Sequence, residues 1–243
     1  MKKLVILATV LTAAAGISSS GPWQEVAVAE GKIDKTVEQE PKRKVHPMHG
    51  NHKHAFTDPA ESAKKWNDPE RDKWQRPEEI VAALALKPGA TVADIGAGTG
   101  YMVAPLSKAV GKGGTVIAID SSASMVEYLK KQSADLGPAV IVPRKVGPDD
   151  PELQAAGVDA VLTLDTWHHV KGREAYARKV YEGLKRGGRF VVVDYEVGAE
   201  TGPPKEMRLA AGRIVEQLEA GGFRAAVVRE SMSRHYMVVG HKD

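Results

Sequence analysis

From about position 90 to the end of this 243-residue chain, the apolar residues fall into a repeating pattern. Short runs rich in valine and isoleucine alternate with longer stretches in which apolar positions recur every three or four residues. The short runs predict buried strands, and the longer stretches amphipathic helices that cover them. Strands are expected at 91–95, 115–120, 139–142, 160–164 and 189–194, with helices at 101–110, 125–134 and 172–184. Such alternation implies right-handed crossovers and a mostly parallel α/β sheet with helices on both faces. The turn Lys185-Arg186-Gly187-Gly188 feeds the fifth strand.

The two ends depart from this rhythm. A helix over 207–220, stopped by Gly221-Gly222, precedes strands at 223–229 and 235–240. The few residues between those strands are too short for a helical crossover, so they pair antiparallel or lie apart. Upstream of the alternation, Asp58-Pro59 opens a short helix carrying 60–66, and Arg76-Pro77-Glu78-Glu79 opens a second. Proline in a first turn followed by early acids favours a helix start.

Length fits one domain with extensions, and a net charge of +3, which includes Lys2 and Lys3, gives no reason to expect a nucleic-acid surface. Residues 1–20 read as a secretory signal, with Lys2-Lys3, an apolar run over 4–15 and then small residues. Cleavage would follow Ala15 or the later Ala27-Val28-Ala29, and the run is short for a membrane span, an uncleaved anchor being the alternative. The expectation is an exported, periplasmic protein, with membrane contact only through that segment. Residues 21–55 lack apolar periodicity and read as a flexible linker. It ends in His46, His49, His52 and His54 with Met48 between them, a set with affinity for copper but no visible scaffold, so a dedicated metal site is not expected. Absence of cysteine excludes disulfides, thiolate metal sites and a lipidated cysteine.

The chemistry gathers at Val92-Ala93-Asp94-Ile95-Gly96-Ala97-Gly98-Thr99-Gly100-Tyr101. A buried strand runs into three glycines at alternate positions and then into a helix. Glycines let the backbone turn sharply and a ligand approach the main chain. A dinucleotide fingerprint is G-x-G-x-x-G, whereas Tyr101 makes this one G-x-G-x-G. Asp94 precedes the turn, placed for the positive amino-acid end of a ligand. Asp120 ends the second strand twenty positions after Gly100, a spacing suited to accepting ribose hydroxyls. Its simpler role is to cap the next helix.

The glycine turn, the acid at position 120, the closing hairpin and the Lys185-Arg186-Gly187-Gly188-Arg189 turn together resemble the class I S-adenosylmethionine (SAM) dependent methyltransferases, over about 66–243. Arg186 stands where that family has proline. The likeness is to the broad group that includes ubiquinone and menaquinone biosynthesis enzymes. It implies a Rossmann-like seven-stranded sheet in the order 3-2-1-4-5-7-6, its last strand antiparallel. It also implies SAM as cofactor, a small-molecule methyl acceptor, and a domain over 56–243 whose N-terminal helices (56–86) form a lid, putting Arg71, Trp74 and Gln75 near the ligands. By resemblance, Asp94, Gly96, Ala97, Gly98 and Gly100 hold the methionine end. Asp120 takes the ribose with Ser121 beside it, Met125 lies against the adenine, and Asp149 or Asp150 accepts from the adenine amino group. Tyr101 and Trp167 are aromatic faces for the sulfonium. In Asp165-Thr166-Trp167-His168-His169, His168 or His169 is the candidate general base, with Asp194 and Tyr195 on the same rim. Two other readings remain: an NAD(P)-linked oxidoreductase, which the glycine spacing and terminal hairpin disfavour, and an exported non-catalytic or metal-handling protein on the same scaffold.

Overall fold

Asp58 does what its place before a proline predicts: its carboxylate accepts from the backbone N–H of Ala60 and Glu61 and caps α1 (Pro59–Trp66). The computed structural model describes residues 58–243. The signal, the linker with His46, His49, His52 and His54, and residues 56–57 lie outside the described residues. Two short helices were expected before the sheet, and a third stands between them. A 3-10 turn (Pro69–Arg71) leads into α2 (Asp72–Gln75), and α3 (Pro77–Leu84) follows. Arg76 separates α2 from α3 in the left-handed region, at φ 52°.

Seven strands form one sheet in the order β3-β2-β1-β4-β5-β7-β6. These are β1 (Thr91–Ile95), β2 (Thr115–Asp120), β3 (Val140–Lys145), β4 (Val158–Leu164), β5 (Leu184–Tyr195), β6 (Arg224–Val228) and β7 (His235–His241). The first five run parallel, and β7 is antiparallel to both β5 and β6. Crossovers are made by α4 (Val103–Val110), α5 (Ala123–Gln132) and α6 (Arg173–Gly183), and α7 (Ala211–Ala220) precedes the hairpin.

Three boundaries differ from expectation by more than two residues. β3 runs past Pro143 to Lys145 because it is an edge strand, where a missing N–H costs no ladder bond. The 185–188 turn lies inside β5 as a bulge: Val158 pairs with Leu184, then Ala160 with Arg189. The last helix starts at Ala211 because residues 205–207 form a separate 3-10 turn and Arg208 and Ala210 are extended.

Apolar side chains pack on both faces. One face is covered by α3 and α4 through Ile80, Leu84, Val103 and Leu106, the other by α6 and α7 through Tyr176, Val180, Ile214 and Leu218. Burying both faces explains why strands such as FVVVD in β5 read as continuous apolar runs. Ligands on such sheets bind beyond the carboxyl ends of the strands. β7 runs backwards, so its first residue reaches that same rim: His235 pairs with Tyr195, the last residue of β5.

Candidate active site

The glycine turn hangs from β2, with the N–H groups of Gly96 and Ala97 both donating to the Ile119 carbonyl, at 2.8 and 2.9 Å. Gly96, Gly98 and Gly100 all have positive φ. At Gly96 a side chain is excluded twice over, since a Cβ would lie 2.2 Å from Thr166 Oγ1 in the loop after β4. Asp120 braces the turn from the end of β2: Oδ2 accepts from Gly98 N–H at 2.9 Å and Oδ1 from Ser122 N–H at 2.8 Å. The Ser121 N–H is a third donor, so the carboxylate keeps one acceptor site for a further donor.

Two acids converge beneath the turn. Asp94 is 3% exposed, and its pKa is pushed up to about 7, first by burial and then by the negative charge of Asp120, with Arg71 opposing. Burial also raises Asp120, against the backbone hydrogen bonds from Ser122, Gly98 and Ser121. A cationic ligand would relieve this surplus of buried negative charge. The glycine turn, the carboxylate pair and the remaining acceptor site of Asp120 therefore fit a SAM molecule, whose α-ammonium and sulfonium groups are positive.

The N-terminal segment closes over this cradle. The Trp66 ring lies against Gly98, 3.5 Å from where a Cβ would stand. Asn67 donates to the Thr99 carbonyl at 3.0 Å and accepts from the Thr99 hydroxyl at 2.7 Å. Arg71 donates to the Trp66 carbonyl, to Gln75 and to Asp165 Oδ2 (2.8 Å), and its guanidinium stacks 4.1 Å above the Tyr101 ring. Tyr101 O–H donates to Asp72, and burial together with that bond pushes its phenol well up. Tyr101 thus turns a face to Arg71.

Beyond the turn, the rim carries two histidine–carboxylate pairs. His168 is buried, with Nδ1 2.8 Å from Asp194 Oδ1, while its backbone N–H donates to Oδ2. His169 is exposed, and its ring lies 4.2 Å from that of His168. The second pair is His235 Nε2 with Asp165 Oδ1, at 2.7 Å.

Other predicted residues scatter. Ser121 supports Asp120 through its backbone N–H, and Met125 is fully buried on α5. Asp150 pairs with Lys179 of α6 at 2.9 Å, which with a backbone bond from Glu152 lowers its pKa; Asp149 gives its carbonyl to the same lysine. Trp167 is sealed in the core, its indole N–H donating to Gln217. These contacts join Asp94, Asp120, the glycine turn, Tyr101 and Arg71 into one cluster, and leave Asp149, Asp150 and Trp167 engaged elsewhere. Trp66, Asn67 and His235 were not singled out from sequence. The only signal for the first two was their place in the predicted lid.

Comparison with known proteins bears directly on this geometry. Residues 93–190 match the model of a family described as a methyltransferase domain. The methyltransferase match spans the glycine turn, Asp120 and the rim up to β5. A SAM-dependent methyltransferase from Aquifex aeolicus superposes with a TM-score of 0.69 at 28% identity, over 75% of this chain and 97% of that one. A protein-L-isoaspartate O-methyltransferase from Methylorubrum populi is 35% identical over 129 residues, 50% of this chain and 53% of the relative. A phosphoethanolamine N-methyltransferase from Arabidopsis thaliana is 29% identical over 135 residues, 52% of this chain and 25% of the relative. The chain spans between about a quarter and a half of the length of these curated relatives. Sheet order, glycine turn and these matches support a class I methyltransferase, and the cofactor they imply is SAM.

Proposed function

We propose that this chain transfers a methyl group from SAM to a small-molecule acceptor, and that it does so outside the cytoplasm. The observation that carries the transfer reading is the glycine turn held between Asp94 and Asp120. SAM supplies an electrophilic methyl on a sulfonium, and the protein's part is positioning and exclusion of water. Asp94, strained as an anion by burial, meets the ammonium of the methionine end. The main chain of residues 96–100 lines that end of the cofactor. Asp120 keeps its brace on Gly98 and offers its remaining acceptor site to the ribose, and Met125 backs the adenine side. Trp66, Arg71 and Trp74 close the top.

The small-molecule reading rests on that lid, whose contacts with Thr99, Tyr101 and Asp165 limit what reaches the turn. Within the family, the likeness to the group containing the ubiquinone and menaquinone enzymes is part of the proposal. The export reading rests on residues 1–20 alone. Its check is N-terminal sequencing of the protein from fractionated cells, expected to begin between about residues 16 and 30. An intact Met1 in the cytosol would overturn it. Transfer is tested by incubating the full chain with methyl-labelled SAM and a metabolite extract. Label in a small product supports the proposal, whereas binding of NADH in preference to SAM, or binding of copper alone, would replace it.

A further inference from the structure

His235 opens β7, and its pairing with Tyr195 brings it to the carboxyl rim of the sheet. Its side chain is fully enclosed. Trp74 of α2 stacks on it with ring centres 5.8 Å apart and planes 14° from parallel, and the Tyr195 ring lies at 4.1 Å. Nε2 is 2.7 Å from Asp165 Oδ1. A carboxylate only accepts, so a proton sits on Nε2, and in the neutral form of the ring Nδ1 is then a bare lone pair. That atom is buried and finds no hydrogen-bond partner among the described residues. A buried polar atom left unpaired is costly, and in a native protein calls for a missing donor.

Its surroundings favour a working group over a packing one. Asp165 is a non-glycine residue at φ 54° directly after β4, a conformation that clusters at functional sites. Its second oxygen is held by Arg71 at 2.8 Å. Arg71 in turn stacks on Tyr101, at the edge of the glycine turn. The ring is therefore tied to the cofactor cradle through Asp165 and Arg71.

We infer that Nδ1 of His235 is the proton acceptor for the methyl acceptor, which is a compound carrying an ionisable O–H or N–H, and that Asp165 is its positioning residue. The inference rests on the methyltransferase reading above. As the acceptor's oxygen or nitrogen bonds to the methyl carbon, the carbon–sulfur bond breaks and sulfur keeps its electron pair. The acceptor's proton passes to Nδ1, giving an imidazolium whose Nε2–H stays bonded to the Asp165 carboxylate. Charged and titratable groups facing the ring are Asp165 at Nε2, Arg71 across Asp165, Tyr195 beside it, Arg234 over Trp74 at 4.4 Å, and Glu230, which acts on it through space. The His235 side chain is fully enclosed, so the acceptor reaches Nδ1 only on a local opening of the rim.

The test uses the full chain, His235→Gln, Asp165→Asn and His168→Gln, with three probes: 4-nitrophenol for O–H, benzylamine for N–H, and thiocyanate as a soft nucleophile with no proton to lose. Calorimetry with SAM comes first. If SAM does not bind, the methyltransferase reading falls and this one with it. With SAM bound, His235→Gln is expected to slow methylation of 4-nitrophenol or benzylamine by about 10²–10⁴. Its melting temperature and SAM affinity should stay near those of the parent, and wild-type rates should fall on acidification. Independently of turnover, nitrogen NMR of the ligand-free protein should show His235 protonated at Nε2 and bare at Nδ1, with Asp165→Asn disturbing that tautomer. A reversed tautomer overturns the assignment. So does a loss below tenfold in a folded, SAM-binding His235→Gln, or a wild type that methylates only thiocyanate.

Discussion

The two histidine–carboxylate pairs on the rim are built in opposite senses. His168 presents Nδ1 to Asp194, and the same carboxylate also takes the backbone N–H groups of His168 and Tyr195. Arg173 caps the carbonyls of Trp167 and His168. Every one of those bonds stays within the loop after β4, the start of α6 and the end of β5. His235 presents Nε2 to Asp165, whose other oxygen is held by Arg71, and its Nδ1 has no partner among the described residues. That pair joins β7, the β4 loop and the lid, three segments far apart in sequence. A carboxylate saturated by local donors fixes a loop, whereas an enclosed imidazole with one nitrogen unpartnered among the described residues is equipped to take a proton. The same two residue types serve different ends according to what else they touch.

The widest separation between the pairs should come from single-turnover rates. His235→Gln is expected to lose about 10²–10⁴ in rate and His168→Gln less than tenfold. Equal losses in both would erase the distinction.

Asp94 extends the comparison to a buried carboxylate whose charged neighbours are Asp120 and Arg71. Its folded pKa of about 7 lies above the ordinary 3.8, so between those values the native state holds a proton that the unfolded state has released. The stability this contributes is present below the lower value and lost as pH rises through the upper one, about 4 kcal/mol in all. Denaturant titrations of the ligand-free protein from pH 4 to 8 should show that decline, and Asp94→Asn should flatten it. A decline unchanged in Asp94→Asn would place its source elsewhere.

His168→Ala should cost about 1–3 kcal/mol of folding stability, because buried Asp194 loses its side-chain donor. Chemical denaturation measures this, and a neutral substitution would show that the loop does not depend on the pair. The smallest effect expected is from Asn67→Ala, about 1 kcal/mol for its two bonds to Thr99. It should appear as faster hydrogen exchange over residues 59–75. Unchanged exchange there would mean that the stacking of Arg71 and Trp66 suffices to hold the lid.

What could be read from sequence follows the same divide between local and distant. The glycine turn, Asp94 and Asp120 lie within 27 residues, and their spacing carries its own physical meaning. Strand and helix positions were legible because burial on both faces leaves continuous apolar runs. His168 drew notice through its neighbour His169, a purely local cue. His235 gave no such cue: it opens an apolar strand, and its partner lies 70 positions upstream. Only the antiparallel return of β7 brings the two together. Trp66 and Asn67 gave little more than their place in the lid for a like reason, since their contacts at Gly98 and Thr99 depend on how the lid folds back. The extra reach of β3 past Pro143 was missed because a proline argues against a strand unless that strand is known to be an edge.

SAM occupying the cradle between Asp94 and Asp120 is the central requirement, and calorimetry on the full chain tests it most directly. One SAM per chain is expected to bind at micromolar levels. Asp120→Ala should weaken it by roughly five- to a hundredfold, since a carboxylate that accepts from the ribose is lost. Asp120→Asn, which keeps an oxygen for the Gly98 N–H, separates loss of the turn from loss of the ligand contact. Unchanged affinity in folded Asp120→Ala, or no SAM binding by the wild type, would contradict the account.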